Sequence, residues 1–125
     1  MHYRIGTRGS KLALVQSEYV KRRMEEAYPE DTFELVIIKT TGDKVTDKPL
    51  AAIGTKGLFV KEIEEELLSG SIDMAVHSMK DMPAECETGL TFAKAWKRED
   101  CRDVLILKTA GSFSELPSGA AIGTG

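Results

Sequence analysis

Apolar and polar positions set out an alternating series of strands and helices. Tyr3 to Thr7 reads as a short strand stopping at Arg8-Gly9, after which Ser10 is placed to cap a helix running to about Tyr28, before Pro29. Leu12, Val15, Tyr19 and the Arg23/Met24 turn recur at the helical period and predict its apolar stripe. Phe33 to Lys39 contains the unbroken run Leu35-Val36-Ile37-Ile38, which predicts a strand covered on both faces, as in a parallel sheet. Thr40 to Lys56 carries no clean period and predicts a long loop, a class made up of functional lids and disordered linkers. Leu58 to Ser69 returns to the helical period: Phe59, Ile63 and Leu67 share a face, Glu62, Glu64, Glu65 and Glu66 turn to water, and Gly70 ends the helix. Ile72 to Val76 predicts a third strand, Leu90 to Trp96 a fourth and Val104 to Leu107 a fifth, with Phe92 and Trp96 in the core.

Strands alternating with helices predict an α/β fold: a mainly parallel open sheet, right-handed crossovers and helices on both faces. Ligands in such sheets sit beyond the carboxyl ends of the strands. Those ends carry Arg8-Gly9-Ser10, the Thr40 to Lys56 loop and His77 to Asp81, so three polar segments are expected along one edge. After Lys108 only a weak helical turn near Ser114 and a short strand signal at Ala120 to Gly123 remain.

Composition narrows the classes. The 125 residues are 42% hydrophobic and 30% charged, enough apolar material for a core and too much for a disordered chain. A net charge of -3 argues against a phosphate-neutralising surface and so against a nucleic-acid partner. No apolar run is long enough to span a membrane and no signal peptide is evident, so a soluble, cytoplasmic protein is expected. Cys86 and Cys101 are the only thiols and lie far from any C-x-x-C spacing, so reduced, structural cysteines are expected. His2 and His77 have no partner at metal-ligand spacing, and no metal is expected.

Several residues carry possible chemistry. Arg8 sits between a strand and a helix amino terminus, where its guanidinium could clamp a carboxylate; a bridge to nearby acids is the equal alternative. Ser10 is foremost a helix cap. Gly54-Thr55-Lys56-Gly57 lacks the spacing of a phosphate loop, but Lys56 could reach an anion when its loop closes. In Lys80-Asp81 a carboxylate at a strand's carboxyl end can manage protons and a developing cation while the lysine holds a negative group; a turn cap before Pro83 is the rival for Asp81. His77 is expected to be a packed neutral imidazole, and Lys21-Arg22-Arg23, beside Glu25 and Glu26, a solvated face.

Three strings, Ile5-Gly6-Thr7-Arg8-Gly9-Ser10-Lys11-Leu12-Ala13-Leu14, Gly57-Leu58-Phe59-Val60-Lys61-Glu62 and Ala75-Val76-His77-Ser78-Met79-Lys80-Asp81-Met82-Pro83, resemble the porphobilinogen deaminases, also called hydroxymethylbilane synthases. The resemblance continues through Arg98-Glu99-Asp100-Cys101-Arg102-Asp103 to Ile122-Gly123-Thr124. It implies three domains, the first two resembling type II periplasmic binding proteins around a cleft, with residues 1–96 opening domain 1, residues 97–103 a hinge and residues 104–125 a truncated start of domain 2. It implies a transferase of tetrapyrrole and haem biosynthesis that joins four porphobilinogen molecules into hydroxymethylbilane with loss of ammonia, on a dipyrromethane cofactor whose attachment cysteine lies in a third domain; neither Cys86 nor Cys101 matches it. Arg8, Ser10, Ser78 and Lys80 match cofactor-binding positions, Asp81 the catalytic aspartate, and Lys56 and Phe59 the mobile cleft loop and the aromatic near its end. Many relatives have lysine where Ala52 stands and glycine where Thr55 stands, which makes this loop less basic. The family is usually monomeric; this chain alone is expected to be inactive, and its final segment to be mobile or to pack on another copy.

Two other classes fit parts of the pattern. A receiver-like phosphoacceptor domain needs an acidic pair after the first strand, where Thr7-Arg8 stands instead. A non-catalytic small-anion-binding module of the periplasmic-binding-protein type fits the fold as well; Asp81 among three cations separates the enzyme from it.

Overall fold

The computed structural model describes residues 1–44, 59–98, 100–108 and 111–123. The chain divides into two compact units, Met1–Ala93 and Lys94–Gly125.

In the first unit, β1 (His2–Thr7) leads to α1 (Lys11–Ala27), then β2 (Thr32–Ile37), the single turn α2 (Thr41–Lys44), α3 (Lys61–Leu68) and the short β3 (Met74–Ala75). The three strands form a parallel sheet in the order β2-β1-β3. Ile5 stands opposite Leu35 on one side and Met74 on the other, which places all three carboxyl ends along one edge. The third strand is shorter than the pattern predicts, yet Asp73 N donates to the Arg4 carbonyl at 2.9 Å and Val76 N to the Gly6 carbonyl at 3.1 Å, so pairing with β1 extends past both ends of β3.

Local chemistry explains the helix limits. Ser10 Oγ accepts from Ala13 N at 3.3 Å and caps α1, and Tyr28 N closes its far end on the Met24 carbonyl at 2.8 Å. Gly70, with φ of 74°, supplies the left-handed turn that stops α3.

The two faces of the sheet are covered by different helices. On one, Thr7 and Ser17 are both fully buried, and the Ser17 hydroxyl donates to Thr7 Oγ1 at 2.6 Å, joining α1 to β1. On the other, Ile38, Ile63 and Ile72 form the buried core, with Val36, Leu67 and Ala75 against them, so α3 closes that side. Each fully buried aliphatic side chain of this kind contributes on the order of 1.5–3 kcal/mol.

Five expectations are corrected. The stripe Leu12, Val15 and Tyr19 is exposed, Val15 by 67%. The face of α1 turned to the sheet carries Ala13, Ser17, Val20 and Met24, because the small Ser17 lets the helix approach β1 and leaves no room for the larger stripe. Ile37 is exposed, so β2 is covered on both faces only in part. Leu90 to Trp96 forms no strand, and Phe92 and Trp96 are 42% and 45% exposed rather than core, since among the described residues no strand lies alongside to satisfy the backbone. Within the second unit Val104 to Leu107 likewise forms no strand, with Val104 and Ile106 exposed, and Ala120 to Gly123 is irregular. The turn expected near Ser114 is present as Phe113–Glu115, tied by Glu115 accepting from Gly111 N at 2.8 Å. Lys21–Glu25 and Arg23–Glu26 pairs occupy the solvated face of α1 as expected.

Candidate active site

The carboxyl edge of the sheet ends in a pocket lined by Arg8, Ser10, Ser78, Lys80 and Asp81, with Gln16 among the α1 residues of its wall. Two segments build it. Arg8 and Ser10 follow β1, and Lys80 and Asp81 lie in a 3-10 turn, Met79–Asp81, that begins just past β3 and closes through Asp81 N on the Ser78 carbonyl at 3.0 Å. Ser78 Oγ donates to Gln16 Oε1 at 2.9 Å and fixes that turn against α1. Among the described residues neither the Lys80 nor the Asp81 side chain has a hydrogen-bond or ion-pair partner, so an uncommitted cation and an uncommitted carboxylate share one pocket.

Arg8 is committed. Its Nε lies 3.1 and 3.3 Å from the two Asp43 oxygens and its Nη2 lies 2.5 Å from Oδ1, so the guanidinium meets the carboxylate in a fork. The Phe59 ring lies against the guanidinium, 3.8 Å from its centroid. Gly42 makes that stacking possible: a Cβ there would stand 2.2 Å from the ring. Burial acts most strongly on the Asp43 carboxyl and pushes its pKa up, but hydrogen bonds from Arg8 and Thr40 and the Arg8 charge outweigh it, and the net shift is below the ordinary aspartate value.

Around this cluster the chain is stitched further. Thr41 N and Oγ1 both donate to Glu62 Oε1, at 2.7 and 2.5 Å, and His77 Nε2 donates to the Phe59 carbonyl at 3.0 Å. His77 also lines the pocket, with that ring nitrogen engaged by a backbone carbonyl. Glu62 and Glu64 are only partly exposed, and burial, reinforced by the Glu87 charge and opposed by His77, raises the Glu64 carboxyl.

Most of the sequence-derived site residues therefore converge. Arg8, Ser10, Ser78, Lys80 and Asp81 line one pocket, and Phe59 stands behind Arg8. Lys56, with Ala52, Thr55 and most of the predicted loop, lies outside the described residues. The start of that loop is not irregular: Thr40 and Asp43 form a reciprocal capping box, Asp43 N on Thr40 Oγ1 at 3.3 Å and Thr40 N on Asp43 Oδ2 at 3.4 Å, opening α2. Asp43 and Gln16 were not anticipated. The spacing Thr40-x-x-Asp43 is a signal that could have found the first, whereas Gln16 is marked only by where α1 packs.

Comparison with known proteins bears on the same segments. A family model described as porphobilinogen deaminase, dipyrromethane cofactor binding domain, matches residues 3–125. The chain belongs to the porphobilinogen deaminase family. It is 96% identical over 125 residues to a porphobilinogen deaminase of Lachnospira eligens, covering 100% of this chain and 42% of the relative. A porphobilinogen deaminase of Syntrophus aciditrophicus is 57% identical over 98% of this chain and 40% of its own length. One of Clostridioides difficile is 56% identical over 100% of this chain and 42% of its own. The chain thus spans about two fifths of the length of these porphobilinogen deaminases. Cys86, the one cysteine of the first unit, does not line the pocket. Among the described residues no cluster of His, Cys, Asp and Glu is suited to a metal ion, and no helix is long and apolar enough to cross a membrane.

Proposed function

We propose that this chain supplies one wall of the catalytic cleft of a porphobilinogen deaminase, a transferase that condenses four porphobilinogen molecules into hydroxymethylbilane and releases one ammonia at each addition. The observation that carries the reading is the convergence of Lys80 and Asp81 with Arg8, Ser10 and Ser78 in a single pocket of a chain from this family. The unit would resemble the opening part of a type II periplasmic-binding-protein domain, and the setting would be cytoplasmic.

Porphobilinogen and its oligomers carry an acetate and a propionate on every ring, so the ligand is a polyanion. Lys80, a compact ammonium without a partner among the described residues, takes one carboxylate, and Arg8 takes a second through the donors Asp43 leaves open. The Ser10 hydroxyl only accepts in the helix cap and so keeps its proton for a carboxylate, whereas Ser78 donates to one by exchanging its bond to Gln16. This donor set suits dipyrromethane, which when bound offers the terminal pyrrole carbon that is extended. Asp81 does the chemical work: departure of the aminomethyl nitrogen as ammonia leaves an electron-poor azafulvene with positive charge on the pyrrole nitrogen, and a fixed carboxylate stabilises that charge as it forms. The same carboxylate can hold the pyrrole N–H proton through addition and loss of the ring proton.

Intact mass tests the Lys80 assignment. In a full-length enzyme made by grafting this segment in place of the matching part of the Lachnospira eligens relative, the unsubstituted protein should carry the added mass of dipyrromethane, and Lys80→Ala should lack most of it. Full loading of Lys80→Ala would remove the cofactor-binding role.

A further inference from the structure

We propose that Asp43 is a positioning residue for carboxylate capture, holding the Arg8 guanidinium in a fixed plane so that its remaining donors face a ligand entering the pocket. The inference rests on the reading of the pocket as a site for pyrrole carboxylates.

A guanidinium has five N–H donors in one plane, and recognition of a carboxylate depends on the direction of that plane. In this structure three constraints set it. Both Asp43 oxygens meet Nε, at 3.1 and 3.3 Å, and Oδ1 meets Nη2 at 2.5 Å. The Phe59 ring covers one face, 3.8 Å from centroid to guanidinium carbon. Asp43 is itself anchored, because the fully buried Thr40 donates its hydroxyl to Oδ2 at 2.8 Å. Arg8 and Asp43 are 17% and 25% exposed, so the pair is shielded from water while Arg8 still lines the pocket.

An arginine held in this way loses little side-chain freedom when it takes up a ligand. Electrostatics alone points the other way, since an Asp43 charge beside Arg8 weakens the field that an anion meets. The anchoring of Asp43 decides between the two. A carboxylate also committed to Thr40 is not readily exchanged for an incoming one, so it serves as a support rather than as an internal competitor. The low Asp43 pKa keeps that support ionised throughout the neutral range.

Nitrogen-15 spectra of the arginine Nε–H groups test this on the 125-residue chain itself, titrated separately with porphobilinogen and with succinate as a plain dicarboxylate. Arg4, paired with Asp73 at 3.2 Å in the same unit, reports that the fold is intact. Asp43→Asn is expected to shift and broaden the Arg8 signal, leave that of Arg4 in place and weaken both ligands about tenfold, and Asp43→Glu to recover part of the loss. Equal or tighter binding by Asp43→Asn overturns the proposal, as does failure of both ligands to move the Arg8 signal of the unsubstituted chain. Succinate without porphobilinogen perturbing Arg8, and weakened by Asp43→Asn, sustains the role of Asp43 and defeats the pyrrole reading instead. Should Asp43→Asn lose the Arg4 signal, Thr40→Val carries the same comparison by removing only the hydroxyl that holds the carboxylate.

Discussion

The Ser78 hydroxyl donates to Gln16 Oε1 across 2.9 Å, so the turn that presents Lys80 and Asp81 is fastened to the helix that follows Arg8. One hydrogen bond thereby sets the separation of the two halves of the pocket. Ser78→Ala is expected to cost about 0.5–1.5 kcal/mol in denaturant unfolding, the ordinary net worth of such a bond, and Gln16→Ala a similar amount. The double variant should cost less than the sum, because each single change already breaks the contact. Strict additivity would show that the two side chains do not act as a pair.

Gly42 has a packing role that its turn position conceals. Any side chain there meets the Phe59 ring, so Gly42→Ala is expected to displace the ring from Arg8 and destabilise the chain by about 1–3 kcal/mol. Unfolding in denaturant measures the cost; no loss of stability would mean that the ring moves freely.

Acid should weaken the fold partly through Asp43. Its folded pKa lies below its unfolded value, so its contribution is present above the unfolded value and is lost as pH falls through the folded one. Stability should therefore decline below about pH 4, and Asp43→Asn should flatten that decline. An unchanged acid limb would contradict the pairing with Arg8.

Glu64 has the opposite sign. Burial chiefly, with the Glu87 charge, raises its pKa, and its Oε1 is buried without a hydrogen-bond partner among the described residues. The stability tied to its protonated form is present below the unfolded value and is lost as pH rises through the folded one. Glu64→Gln should accordingly be more stable than the parent at neutral pH and equal to it below about pH 4, as read from denaturation midpoints. A variant no more stable at neutral pH would show that the carboxylate is well solvated.

The parts of this architecture that are encoded locally were legible in the sequence. Ser10 is a cap wherever a helix follows a strand, Gly70 a stop, and the apolar runs in β1 and β2 mark strands of a covered sheet even though Ile37 stays exposed, so three parallel strands with Arg8 and Asp81 on one edge follow from the pattern. What was not legible depends on which surface meets which. Helix α1 carries two stripes at the helical period, and the one with Ser17 wins because a small residue permits close approach to Thr7. Leu90 to Trp96 and Val104 to Leu107 have strand-like composition, but a strand requires a neighbour, and the pattern says nothing about whether one is present. At the site, residue types at the strand ends were informative, whereas the internal carboxylate on Arg8 became visible only when α2 was placed beside it.

The central claim, that the pocket performs pyrrole condensation through Asp81, is tested most directly by porphobilinogen turnover in the full-length graft carrying Asp81→Asn. The amide keeps the shape and removes the charge, so turnover should fall by about a hundredfold or more while the unfolding free energy stays within about 0.5 kcal/mol of the parent. Turnover close to that of the parent, in a protein that folds normally, would contradict the account.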